Sequence, residues 1–210
     1  MKAYVIASTI ILILFLVFTA CDSKDKGVTS NNTVTVVGTG NVVSDTISVP
    51  AFHTVKNLAS FDVEMTKGSP QQVILKAQQN ILDVVTYQVT NGELILGKQS
   101  NVNIQTSLGL KAEITIPEIT RVGIIGAGDF DLGGGHEDVL YIDIVGVGNV
   151  MAYNLDVDTC YIALTGVGDC RVMVNNLLDV TISGVGDVYY KGNPTIHSNI
   201  TGVGSIIDDN

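Results

Sequence analysis

From residue 120 onward, hydrophobic residues fall on every second position, and the alternation breaks at a recurring Gly-x-Gly. Aligned on that element, the segments read TRVGIIGAGDFDL (120–132), LYIDIVGVGNVMA (140–152), CYIALTGVGDCRV (160–172), LDVTISGVGDVYY (178–190) and IHSNITGVGSIID (196–208). The first column is Thr120, Leu140, Cys160, Leu178 and Ile196. The third is Val122, Ile142, Ile162, Val180 and Ser198, and the fifth is Ile124, Ile144, Leu164, Ile182 and Ile200. Between them stand Arg121, Tyr141, Tyr161, Asp179 and His197. Period-two alternation of this kind predicts strands with one buried face.

Successive first glycines are 20, 20, 18 and 18 residues apart. One such segment cannot close a core, but stacked copies can. Each has room for about three strands of five to six residues. The pattern therefore predicts an all-β fold, a right-handed parallel β-helix (a solenoid) with 18–20-residue coils. Its columns would form ladders about 4.8 Å apart. The glycines mark the corner, where the backbone needs φ > 0 or must approach its neighbour closely.

The stretch 33–117 is less regular but still strand-rich. SFDVEMTKG (60–68), QVILKA (72–77) and YQVTNGELILG (87–97) alternate, and Asn91-Gly92 is a hairpin turn. Pro50, Pro70 and Pro117 mark strand ends, and QNILDVV (79–85) reads as one helical turn. No Pro- or Ser-rich linker intervenes, so 33–210 reads as a single domain.

Composition agrees with strands and turns. The 210 residues are 46% hydrophobic and 15% charged, with 22 glycines and no Trp. The net charge of −10 argues against nucleic acid as a partner, because phosphate binding needs clustered Lys and Arg.

The N-terminus changes the picture more. Residues 1–20 hold one Lys and a long apolar run, the layout of a signal peptide. Phe18-Thr19-Ala20-Cys21 resembles the lipobox of bacterial lipoproteins, which implies cleavage before Cys21 and acylation of its thiol; Phe18 departs from the usual Leu. Residues 21–32 follow as a polar tether. The membrane is then a partner through an N-terminal lipid anchor, and the body sits in the cell envelope, at the outer membrane, facing periplasm or cell surface.

Four features bear on chemistry. The polar column Asp129, Asn149, Asp169, Asp187 and Ser205 suits Asx side chains that cap a turn. Asp169 and Asp187, on adjacent rungs, also make a candidate for a weak divalent-cation site, since paired carboxylates repel unless a proton or cation intervenes; no other cofactor is implied. Tyr141 and Tyr161 are candidates for a surface that binds a glycan or protein. Cys160 and Cys170 read as two buried free thiols, although an exported chain invites a disulfide. His53, His136 and His197 stand apart without a partner motif, and Arg occurs only at 121 and 171. No catalytic cluster emerges, which argues against an enzyme.

The order of VVGTGNVVSDTISVPAFHTV, KAQQNILDVVTYQVTNGELIL, the GxGD series and YYKGNPTIHSNITGVGSI resembles the head GIN domain family, described as putative auto-transporter adhesins of Gram-negative bacteria. The resemblance covers nearly all of the chain after the tether. It implies a β-helical, extracytoplasmic, often lipidated protein and brings no catalytic motif. The expected function is a non-enzymatic envelope lipoprotein that acts in adhesion or in binding glycan or protein. The alternatives are a periplasmic scaffold or sensor component and, behind it, a carbohydrate-active enzyme. The open last segment could pair with a second copy, giving a homo-oligomer.

Overall fold

The computed structural model describes residues 33–210. Cys21, the expected signal peptide at 1–20 and the whole of the expected tether at 21–32 lie outside these residues. The first half begins with β1 (Val34–Val37), β2 (Val42–Ile47), β3 (Thr54–Asn57), β4 (Asp62–Lys67) and β5 (Gln72–Gln78). A single helical turn, α1 (Gln79–Leu82), leads to β6 (Val85–Thr90), β7 (Glu93–Lys98), β8 (Val102–Gln105) and β9 (Lys111–Ile116). Asn91 and Gly92 join β6 to β7 with φ of 52° and 76°, the positive values that a two-residue hairpin turn requires.

The repeated half supplies β10 (Arg121–Ile124), β11 (Phe130–Ile144), β12 (Val150–Leu164), β13 (Cys170–Ile182), β14 (Val188–Lys191), β15 (Thr195–Ile200) and β16 (Ile206–Asp208). Here the sequence columns are columns in space. Arg121 pairs with Tyr141, Tyr141 with Tyr161, Tyr161 with Asp179, and Asp179 with His197. Val122, Ile142, Ile162 and Val180 fill one core row, and Ile124, Ile144, Leu164 and Ile182 fill the next; all are buried. Phe130, Val150, Cys170 and Val188 form a third buried row beyond the corner.

The expected right-handed parallel β-helix is corrected by the pairing. The strands form one mixed fourteen-stranded sheet, curled into a half-barrel, with β1 and β8 in a separate two-stranded sheet. β5 runs antiparallel to both β2 and β9, and β6 runs antiparallel to β7. The repeats also do not divide into three short strands. β11 and β12 run for 15 residues each and β13 for 13. Where a coil would turn, these strands continue through register shifts, as between Gly133 and His136. Such bulges bend a strand without ending its ladder. The first part of β11 pairs with β4 and its last part with β10, so one long strand joins a strand of the first half to the opening strand of the repeated half.

The glycine corner is explained by contact rather than by turn type. A Cβ on Gly166 would meet the Gly146 carbonyl oxygen at 2.0 Å, and one on Gly184 would meet that of Gly166 at 2.0 Å. The chain crosses its predecessor too closely for any side chain. The corner backbone is bonded in both directions: the Val147 N–H donates to the Gly126 oxygen at 3.0 Å, and the Gly148 N–H donates to the Val167 oxygen at 3.0 Å.

The stack begins one rung earlier than the glycines announce. Ser60 bridges Ala127 as Ala127 bridges Val147, which makes Asn57-Leu58-Ala59-Ser60-Phe61-Asp62 a corner without Gly-x-Gly. Phe61, where the other corners have their second glycine, is fully buried. Among the described residues no such bridge precedes Ser60, and a side chain is tolerated there.

Candidate functional site

The outward column of the parallel strands builds a continuous strip. Tyr141 and Tyr161 stack with ring centroids 5.0 Å apart and planes 12° from parallel. Their in-register strands force this spacing, which nearly equals the strand separation. The Arg121 guanidinium lies 4.6 Å from the Tyr141 ring centroid, and its Nη1 donates to Asp143 Oδ2 at 2.6 Å. Asp179 and His197 continue the strip, with 3.8 Å between Oδ2 and Nδ1. A shallow groove of about 220 Å³ runs beside it, lined by Arg121, Tyr141, Asp143, Tyr161, Asp179 and Thr181.

The stacking decides what the tyrosines can offer. Tyr141 has Arg121 over one face and Tyr161 over the other, so it presents its edge and hydroxyl. A face-on aromatic contact is left only on the side of Tyr161 turned toward Asp179. A ligand of this strip would thus meet ring edges, two phenol hydroxyls, a guanidinium at one end and a carboxylate–imidazole pair at the other.

The polar column forms a second ladder. Every member but the last, Ser205, accepts a hydrogen bond from the backbone N–H of the equivalent residue one rung on. Asp129 Oδ1 accepts from Asn149 at 2.7 Å and Asn149 Oδ1 from Asp169 at 2.9 Å. Asp169 Oδ1 accepts from Asp187 at 2.9 Å and Asp187 Oδ1 from Ser205 at 2.8 Å. Asp62 starts the series by accepting from the Asp129 N–H at 3.2 Å, a member the glycine alignment missed. Capping here runs between rungs rather than within one turn, which leaves Oδ2 of Asp169 for a cation, while Oδ2 of Asp187 also faces the Tyr189 hydroxyl at 3.5 Å. Asp169→Asn should be nearly neutral, because Asn149 already does this work, whereas Asp169→Ala should cost about 1 kcal/mol. Urea melts of both variants, with and without calcium, test capping and the cation site together: a calcium-dependent rise in wild-type stability that is lost in Asp169→Asn marks the ion.

The corner residues between the glycines point outward. Val147, Val167, Val185 and Val203 are 49–69% exposed and make an apolar ridge along the corner. Alternation did not reveal this, because the corner interrupts the period. Cys160 and Cys170 are free and fully buried, and burial pushes both thiols well above their ordinary range. The distances therefore join Tyr141 to Tyr161, link Asp169 to Asp187 through a backbone amide, and leave the two cysteines as core residues.

Comparison with known proteins places this geometry. A family model described as "Putative auto-transporter adhesin, head GIN domain" matches residues 51–138 and 121–194. No curated protein matched the chain. A crystal structure called a putative adhesin, from Bacteroides fragilis, is 19% identical and superposes with a TM-score of 0.57, over 82% of this chain and 99% of that one. One called a putative lipid binding protein, from Parabacteroides distasonis, is 18% identical with a TM-score of 0.50, over 84% and 100%. At these identities the likeness concerns the fold.

Proposed function

The chain belongs to the head GIN domain family of putative auto-transporter adhesins, and from that premise we propose that it is a non-enzymatic binding protein of the cell envelope, anchored by lipid at Cys21, that holds a glycan or protein ligand on the Arg121–Tyr141–Tyr161–Asp179–His197 strip. The observation that carries the reading is the strip itself. Five outward side chains are held in register by consecutive parallel strands, with aromatic edges at the centre and opposite charges flanking them. Stacked tyrosines and an ordered guanidinium lose little freedom on binding, which favours affinity from a shallow surface.

The test has two arms. Protease added to intact cells should release the domain, and Cys21→Ala should abolish its retention in the membrane fraction. Tyr161→Ala should weaken binding on a glycan array or to host-cell extract about tenfold, the worth of one good aromatic contact. Protection of the domain until the outer membrane is broken would instead favour the periplasmic scaffold or sensor.

A further inference from the structure

His136 was read from the sequence as an isolated histidine, yet it faces three aspartates on two adjacent strands, Asp138, Asp156 and Asp158. His136 and Asp138 occupy alternate positions of β11, and Asp156 and Asp158 occupy alternate positions of β12 one rung away. The register pairs His136 with Asp156, so both i, i+2 pairs project from the same face. The bulge after Gly133, with Gly134 and Gly135 both at φ 89°, sets this register.

We propose that His136, Asp138 and Asp158 form a binding site for a borderline divalent metal ion, of which zinc is the type. His136 Nε2 lies 3.6 Å from Asp138 Oδ1 and 3.7 Å from Asp158 Oδ2, and the three ligand atoms all lie within 4.8 Å of one another. With metal–ligand bonds of about 2.1 Å, neighbouring donors on a tetrahedron sit about 3.4 Å apart, so both His136 distances need a shift of a few tenths of an ångström and the two carboxylates close on the ion by about 1 Å at most.

The surroundings prepare these atoms to donate. Asp156 Oδ2 faces His136 Nδ1 at 3.3 Å. With the proton held on Nδ1, the lone pair on Nε2 turns toward Asp138 and Asp158, the carboxylate–histidine–metal arrangement. Asn175 Nδ2 donates to Asp156 Oδ1 at 2.9 Å and to Asp158 Oδ1 at 3.4 Å, leaving the second oxygen of each directed at the imidazole. The result is three lone-pair donors facing one another with no hydrogen-bond donor between them, a mixed nitrogen and oxygen set rather than a patch of acids. A cavity of about 600 Å³, lined by Lys67, Glu118, Thr120, His136 and Asp138, opens beside it and leaves room for water or a ligand on the remaining positions of the ion. An imidazole in the set selects zinc and its neighbours over calcium, which takes six to eight oxygens.

The experiment is calorimetric titration of the full chain, purified in detergent, with zinc chloride. One saturable site per chain is expected, together with cobalt(II) absorption bands that zinc displaces. His136→Ala should abolish the site. Asp156→Asn, which meets the imidazole at Nδ1 and not at the metal-facing Nε2, should weaken it about tenfold. His197→Ala, which removes the other histidine–aspartate pair, should leave it unchanged. No saturable zinc heat, zinc binding that survives His136→Ala, or calcium binding tighter than zinc would each overturn the proposal. If His136→Ala loses its strand signal in circular dichroism, Asp138→Asn, whose side chain is 95% exposed, decides in its place.

Discussion

Gly168→Ala is expected to destabilise the domain by about 3 kcal/mol, at the upper end of overpacking costs, while Gly123→Ala leaves it unchanged or slightly more stable. A Cβ at Gly168 would stand 1.8 Å from the Gly148 carbonyl oxygen and 2.7 Å from its carbon. Those atoms are backbone and cannot turn aside as the end of a side chain can. The backbone at 167–168 is also held from both sides, since the Val167 N–H bonds to the Gly146 oxygen and the Gly168 N–H bonds to the Val185 oxygen. Relief therefore requires the rungs to part and the corner ladder to lengthen. At Gly123 the nearest atom to an added Cβ is Lys56 Cγ at 3.8 Å, an ordinary contact, and the paired position on the next strand carries Asp143. Urea unfolding of the two variants beside wild type measures the difference. Equal midpoints for Gly168→Ala and wild type would defeat the close-approach account of the repeated glycines.

Asn57→Ala should be comparably damaging, at about 3 kcal/mol, because it strips two buried backbone groups and one half-buried one of their partner. Asn57 is fully buried at the corner that opens the stack. Its Nδ2 donates to the Phe61 oxygen at 2.8 Å and to the Ala127 oxygen at 2.7 Å, and its Oδ1 accepts from the Ala59 N–H at 3.1 Å. The paired position on the next rung is Ile124, so apolar packing alone would favour an isoleucine here. Asn57→Ile distinguishes the two effects. It restores side-chain volume but leaves the same three groups unpaired, so it should remain destabilised, with a Tm well below wild type. Full stability in Asn57→Ile would show that packing, not polar satisfaction, governs this corner.

The legible and illegible parts of this fold differ in a physical way. The apolar rows of β10 to β13 could be read residue by residue, because strand alternation and a constant step align them without any knowledge of distant contacts. The same alignment could not reveal the rung at 57–62. There Asn57 replaces an aliphatic residue and Phe61 replaces a glycine, and among the described residues that corner has no earlier corner beneath it. The remaining signal was Asp62 in the place of Asp129, one polar residue after a short apolar run. The tyrosine pair was legible as a column, but the covering of Tyr141 on both faces follows from strand spacing and the reach of Arg121. The metal candidate was spelled out as His-x-Asp and Asp-x-Asp twenty residues apart, equal to the repeat step, and was overlooked because the bulge at 133–136 hides which face His136 takes.

By itself, then, the sequence determined an all-β chain, the buried faces of its repeated strands, the glycine corners and the vertical neighbours of each repeated residue. These follow from period-two patterning and a fixed repeat length, which act locally or between like segments. Tertiary structure alone decided that the sheet is mixed and curled rather than a β-helix, that β11 joins a strand of the first half to the first strand of the repeated half, and that three aspartates gather around His136. The sense of strand pairing and the course of a bulge depend on partners far along the chain, and no local pattern of polar and apolar residues records them.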